Sequence, residues 1–238
     1  MGSFKLTTWN CRGAFRRKHA HALELAPDIL IVSECESLTD LSQTLGAKTI
    51  TGAFRVGEDG NNGLGVLSYG DFHIEVDAAY DSSIQWIVPL NVHGPVAFSM
   101  LAVWTKPDPM TGRYIHRLVS ATERYADILR RERVVIAGDF NQNVRLDVAA
   151  APRFSALMKA WDEYALASTY HEHRSCAHGE EPDPTFFQYF HRDKPQHLDY
   201  VFATASLRRG LFRVAVGDPD TWLSLSDHMP VSAEFKLD

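Results

Sequence analysis

The chain has 238 residues, 45% hydrophobic and 23% charged, with a formal net charge of −6. That balance suits a soluble globular protein, and the length suits one large α/β domain spanning residues 1–238. It excludes a membrane bundle, since no apolar run reaches the length of a span, and a duplex-wrapping basic protein, so any nucleic-acid contact must be local.

Phe4 to Trp9 alternates as a strand and leads into Asn10. Arg16 to Leu25 has helical periodicity and stops at Pro27, and Asp28 to Ser33 is a buried strand ending at Glu34. A short helix is predicted over Thr39–Leu45 and a loop over Gly57–Gly63, which is dense in turn formers. Leu64–Ser68, Phe72–Val76, Ile84–Leu90 and Val96–Trp104 read as consecutive strands. Arg113–Arg131 is the clearest helix, with Ile115, Leu118, Thr122, Tyr125 and Leu129 on one face. Arg113, Arg117, Arg124 and Arg131 fall on the opposite face, which reads as a solvated side rather than a DNA-binding stripe. Val134–Ala137 is a buried strand, Phe154–Ala167 a helix, and Tyr170–Gln196 a long polar region with a short strand at Thr185–Tyr189. Strands recur at Leu198–Ala203, Phe212–Val216 and Pro230–Phe235. Cys11, Cys35 and Cys176 are odd in number and far apart, and the N-terminus lacks an apolar leader, so a reduced, cytoplasmic protein is expected.

The chemistry sits at strand ends. Asn10 follows the first strand and Glu34 the second, while Asp139 and Asn141 close the apolar run Val134–Ala137. If the chain stays extended, Asp139 and Asn141 point the same way. Asp199 lies in His197-Leu198-Asp199-Tyr200, and Asp227-His228 precede the last strand. Singly, each has a local explanation as a turn former, cap or strand end. As a set, carboxylates and amide oxygens without cysteine suit a hard cation such as Mg²⁺ or Mn²⁺. A carboxylate beside a carboxamide can deprotonate and aim a water, and a His paired with an Asp can act as acid or stabilise negative charge. Those parts fit hydrolysis of a phosphate ester.

The motifs Thr8-Trp9-Asn10, Pro27 to Glu34, Gly138-Asp139-Phe140-Asn141, Leu198-Asp199-Tyr200 and Ser226-Asp227-His228 come in one order across nearly the whole chain. In them the chain resembles the endonuclease/exonuclease/phosphatase superfamily, with its DNase I-like fold. The resemblance implies a four-layer α/β/β/α sandwich with two mixed β-sheets. It also implies Glu34 as principal metal ligand, with Asn10 and Asp227 contributing directly or through water. Asp139 would activate the attacking water and Asn141 would hold it, or a phosphate oxygen. Asp199 would orient His228 toward the scissile phosphate. Glu36 is a rival to Glu34, two residues on.

Two features depart from that pattern. Trp104 stands where much of the family has a His or Tyr, and its single N–H cannot serve as acid or base. Phosphate contact is then expected from Thr105, Lys106, Tyr114 or His116, with Trp104 at the rim. Arg12 stands where the abasic-endonuclease branch often has a carboxylate. It heads the basic run Arg12, Arg16, Arg17, Lys18, His19, a candidate phosphate contact. The tract His171–His178 lacks a strong structural-zinc spacing. It reads instead as a polar loop near the cleft, with Arg174, Arg192, Lys194 and His197 as substrate-side groups. Phe186, Phe187, Tyr189 and Phe190 are candidates for base stacking, at least two of them packing in the core. The leading expectation is a Mg²⁺- or Mn²⁺-dependent phosphodiesterase acting as a monomer on DNA or RNA. The alternatives are a small-molecule phosphodiesterase or phosphatase and a non-catalytic phosphate-binding module.

Overall fold

An apolar run without polar alternation needs cover on both faces, and the strand Val134–Asp139 has it. Val135 and Ala137 point into one core, Val134 and Ile136 into another. The protein is described here from a computed structural model covering residues 2–38, 44–45, 48–57, 62–149 and 151–237.

In chain order the strands begin with β1 (Ser3–Asn10), β2 (Ile29–Cys35), β3 (Thr44–Leu45), β4 (Lys48–Gly57) and β5 (Gly63–Tyr69). They continue with β6 (His73–Val76), β7 (Ile87–His93), β8 (Phe98–Trp104), β9 (Val134–Asp139) and β10 (Leu166–Ser168). The last are β11 (Phe186–Phe187), β12 (Pro195–Gln196), β13 (Asp199–Thr204), β14 (Leu211–Val216) and β15 (Val231–Lys236). Among the described residues one sheet has the order β14-β15-β1-β2-β5-β4-β3 and the other β10-β13-β9-β8-β7-β6. Each is mixed, because β1–β2 and β8–β9 pair in parallel while their neighbours pair antiparallel.

The two sheets face each other across a core that takes Phe4, Leu6 and Ile31 from one and Met100, Ala102, Ala137 and Val201 from the other. Outside the first sheet, α1 (Phe15–Glu24) covers Trp9, Leu30, Val32 and Tyr69. Outside the second lie α2 (Ile115–Arg124), α3 (Ala126–Leu129) and α4 (Phe154–Trp161), over Leu101, Ile136 and Phe202. The result is the expected four-layer sandwich.

Several elements differ from their expected extents. The Arg113–Arg131 helix is divided at Tyr125, whose φ of −106° and ψ of 22° interrupt it. Its arginines are not simply solvated: Arg124 meets Asp81 at 2.9 Å and Arg131 meets Asp77 at 2.6 Å, tying the helix to the segment after β6. The Phe154–Ala167 helix stops at Trp161, because Ala165 turns left-handed (φ 54°) and Leu166–Ser168 pairs with β13. Thr44 and Leu45 form strand rather than helix, and 39–43 of that prediction lie outside the described residues. In the expected Gly57–Gly63 loop, 58–61 also lie outside them. The His171–His178 tract begins not as loop but as α5 (Thr169–Arg174).

Gly138 shows why the motif before Asp139 requires glycine. Its φ is 147°, and a Cβ there would sit 1.8 Å from the Val103 carbonyl oxygen of the parallel neighbour β8. Gly138→Ala should therefore cost roughly 3 kcal/mol or more, from combined backbone strain and overpacking. Urea unfolding would test this, and a loss under about 1 kcal/mol would refute the close-approach argument.

Candidate active site

Strand parity carries three side chains to one end of the inter-sheet core. Asp139 continues the inward row of Val135 and Ala137, and Asp199 that of Val201 and Ala203. The two aspartates are direct partners in the β9–β13 register. Asn10 arrives from the facing sheet, continuing the row of Phe4 and Leu6.

Glu34 reaches the same place by a different device. The β2–β5 register slips between Val32 and Cys35, and Glu34 takes a φ of 57°. A bulge of this kind re-aims a side chain that regular pleating would send elsewhere. The Asn10 amide then bridges the two carboxylates, its Nδ2 donating to Glu34 Oε1 at 3.0 Å and to Asp139 Oδ2 at 2.9 Å. Glu36 does not compete. It accepts from the backbone N–H of Phe15 at 2.6 Å and of Arg16 at 3.2 Å, so it serves the N-terminus of α1. Glu36→Ala should cost about 1–2 kcal/mol in urea unfolding and leave turnover near wild type. Glu34→Gln should do the reverse, and the opposite pattern would reinstate Glu36 as the site carboxylate.

Asn141 does not extend alongside Asp139 as expected. Phe140 dives into the outer core, and Asn141 turns left-handed at φ 48°. It folds back so that its backbone N–H reaches Asp139 Oδ1 at 2.9 Å and its Nδ2 reaches Asp139 Oδ2 at 3.0 Å. Both carboxylate oxygens of Asp139 are thus engaged. The same amide donates to the Thr105 carbonyl at 3.1 Å.

On the other side, Asp199 Oδ2 bonds His228 Nδ1 at 2.9 Å, while its Oδ1 is buried with no partner among the described residues. Asp139, Asp199 and His228 bring donor atoms within 4.8 Å of one another, all buried. Burial raises the Asp139 carboxyl well above the usual range, and Asp199 adds to this. The His228 charge and hydrogen bonds from Asn10 and the Asn141 backbone oppose it. Burial alone would lower His228, but Asp199 and Asp139 overcome it and hold the imidazole above its ordinary value. Half-buried Glu34 and buried Asp139, bridged by Asn10, with buried Asp199 beside Asp139 and carrying an unpartnered oxygen, form an oxygen-rich donor set short of positive charge. That set fits a hard divalent cation.

Asp227 is placed differently from the other expected metal ligands: its carboxylate lies 3.4 Å from Arg12. Arg12 in turn lies over the exposed Phe190 ring, 4.4 Å from its centroid. Of the basic run, His19 is buried against Tyr69, Lys18 donates to the Cys11 carbonyl and Arg16 lies 3.8 Å from Glu36, whereas Arg12 pairs with Asp227 beside His228.

Four expected substrate contacts are engaged by other groups of the protein. Trp104 pairs with Asp139 in register, but its indole is 4% exposed and packs edge-on to Trp86 at 5.1 Å. Thr105 is fully buried and its hydroxyl donates to the Phe140 carbonyl, so it supports the Asp139 turn. His197 is 2% exposed and packs on Tyr170, and Arg174 is held by Asp183 at 2.8 Å. Lys106 remains half-exposed, its ammonium about 4.1 Å from the Trp104 ring centroid. Tyr114 lies at this rim too: burial raises its phenol, and the Asp139 and Glu34 carboxylates raise it further.

Other supports had weaker sequence signals. The Thr185 hydroxyl accepts from the N–H groups of Leu198 and Asp199, fixing the entry to β13. The Ser226 hydroxyl donates to the Asn10 carbonyl at 2.7 Å and accepts from the His228 N–H, joining the two ends of the chain. Phe186 packs against the His228 ring at 4.6 Å, Phe187 is buried, and Tyr189 and Phe190 are exposed.

Comparison with known proteins places this arrangement. No curated protein matches the sequence. The solved structure of the 3′ phosphatase NExo from Neisseria, bound to product DNA hairpin, is 20% identical with a TM-score of 0.70, covering 98% of this chain and 99% of that one. An AP endonuclease from Archaeoglobus fulgidus is 19% identical with a TM-score of 0.71, covering 98% and 99%. The endonuclease domain of TRAS1, a telomere-specific non-LTR retrotransposon, is 16% identical with a TM-score of 0.69, covering 99% of each. At these identities the likeness shows the fold. A model of the endonuclease/exonuclease/phosphatase family matches residues 7–228, which takes in every motif from Thr8 to His228. The chain belongs to the endonuclease/exonuclease/phosphatase family and is a hydrolase of phosphoester bonds.

Proposed function

We propose that this protein is a Mg²⁺- or Mn²⁺-dependent phosphodiesterase of nucleic acid. The observation that carries the reading is the single, largely buried network of Asn10 and Asp139 with the half-buried Glu34 and Asn141, faced by the Asp199–His228 pair. Glu34, Asn10 and Asp227 would hold the cation, which when bound would polarise a phosphoryl oxygen and offset its charge. Asp139, with its raised basicity, takes the proton of the attacking water, and Asn141 holds that water or a phosphate oxygen. His228, kept charged by Asp199, stabilises negative charge developing on the phosphate. Exposed Phe190 against Arg12, with its exposed chain neighbour Tyr189, would supply stacking and phosphate contact, which favours nucleic acid over a small ester. The likeness to NExo bound to product DNA hairpin and to the AP endonuclease supports the same reading.

The test is cleavage of plasmid, single-stranded DNA, RNA, abasic duplex, a 3′-phosphorylated hairpin and bis-p-nitrophenyl phosphate, with and without Mg²⁺ or Mn²⁺. Metal-dependent cleavage of a nucleic acid, reduced by Tyr189→Ala with Phe190→Ala, is expected. Activity confined to the small ester would replace nucleic acid with a small-molecule substrate.

A further inference from the structure

A second group of side chains of metal-ligating type lies outside the network proposed as catalytic. His171 of α5, His178 and Glu181 bring donor atoms within 4.8 Å of one another. The His171 and His178 rings stack with centroids 3.6 Å apart, and His171 Nε2 meets Glu181 Oε1 at 3.1 Å. The far nitrogen of His171 is fixed by Ser168 Oγ at 2.8 Å, and Glu181 is steadied by the Gly179 N–H at 2.9 Å. Outer partners of this type orient metal ligands.

His197 supplies an independent sign of a ligand. Its Nδ1 contacts the Asp183 carbonyl at 2.8 Å, and a carbonyl only accepts, so Nδ1 carries the proton. Nε2 is then a bare lone pair. It is buried with no partner among the described residues, in a side chain 2% exposed. The ring stands edge-on to His171, centroids 5.9 Å apart. His178 Nδ1 is likewise buried without a partner among the described residues. Two unpaired imidazole nitrogens beside a carboxylate are costly in a pure hydrogen-bond network and natural around a cation. A cleft of about 180 Å³, lined in part by Asn143, Arg145 and Pro184, opens onto Glu181 and His197 and gives an ion a way in.

We propose that His171, His178 and Glu181 form a structural site for a borderline divalent transition ion of the Zn²⁺ class, with the His197 ring, which lies outside that 4.8 Å group, closing in as fourth donor when the ion binds. Three imidazoles and one carboxylate select such an ion over Mg²⁺, whereas the catalytic set around Asn10 is oxygen-rich. The ion would join α5 and the 178–181 turn to the residue that leads through Leu198 into Asp199. It would thus brace the strand that orients His228.

The test is Co²⁺ loading of the metal-stripped full chain, read by visible absorption. One equivalent should give the intense bands of a tetrahedral nitrogen-rich site, displaced by Zn²⁺ but not by excess Mg²⁺. The bands should survive Glu34→Gln, which alters only the catalytic set. His178→Ala and Glu181→Gln should weaken binding by more than the ~10–100-fold that loss of an outer partner costs. Absence of the bands in wild type would overturn the proposal whatever the variants do. Persistence of unchanged bands in both variants, or their loss in Glu34→Gln, would overturn it equally.

Discussion

Asp139→Asn is expected to lower kcat by ~10²–10⁴-fold, the range set by losing a positioned acid–base group. The same change should alter how stability depends on pH in the metal-free protein. Burial, with Asp199 adding to it, raises the folded-state pKa of Asp139 above its unfolded value. The native state therefore binds this proton more tightly than the unfolded chain does. Its contribution to stability falls as pH rises from the ordinary carboxylate value of about 4 toward neutrality. Asparagine has no proton to lose, so the stability of the variant relative to wild type should climb across that window. This holds even if the amide fits the donors from Asn10 and Asn141 less well, because such a mismatch is a constant offset. Urea unfolding in EDTA at several pH values, beside turnover with Mg²⁺, reads both effects. Parallel stability curves, or full activity in the variant, would remove Asp139 from its assigned role.

His228→Ala should cost kcat a comparable ~10²–10⁴-fold, and Asp199→Asn should act through the same ring. Burial pulls the His228 imidazole down, and Asp199 is the first of the groups that reverse this. Without that carboxylate the folded pKa falls, so the alkaline limb of the pH–rate profile should move to lower pH. The charged imidazole would no longer persist through the alkaline range. On the proposed role of Asp199, orienting and charging His228, the double variant should lose little more than His228→Ala alone. Multiplying losses, together with an unmoved alkaline limb, would show that the 2.9 Å contact does not couple the two residues in catalysis.

Much of the fold is legible because side-chain parity is local. The run Val134–Ala137 has to be covered on both faces, and its parity puts Asp139 in the row of Val135 and Ala137, which the structure buries between the sheets. β4 was missed because Gly52, Arg55 and Gly57 break the apolar alternation of Lys48–Gly57, and the strand exists through its backbone pairing with β5. The predicted helix through Ala167 failed for a related reason. Alanine and leucine favour helix locally, yet pairing of Leu166–Ser168 with β13 prevails.

The site divides along the same line. Asn10, Glu34, Asp139, Asn141, Asp199 and His228 carry a signal in residue type and position, since polar groups at the ends of buried strands are costly unless used. For Trp104, Thr105, Arg174 and His197 the local pattern gives no sign of the partners that engage them. Whether each faces the cleft is decided by Trp86, Phe140, Asp183 and Tyr170, which come from distant parts of the chain.

By itself, then, the amino-acid sequence determined most of the strands and helices and the chemical type of the site, because these follow from local periodicity and residue type, while the layer order came from the resemblance of its ordered motifs to a known family. Only the tertiary structure decided that a bulge turns Glu34 toward Asn10, that Asn141 folds back onto Asp139, and that Glu36 serves α1 instead. It also gathered His171, His178, Glu181 and His197, whose spacing in the chain announces no metal site. Register slips, left-handed residues and loop closure depend on contacts between segments far apart in the chain, where local pattern carries no information.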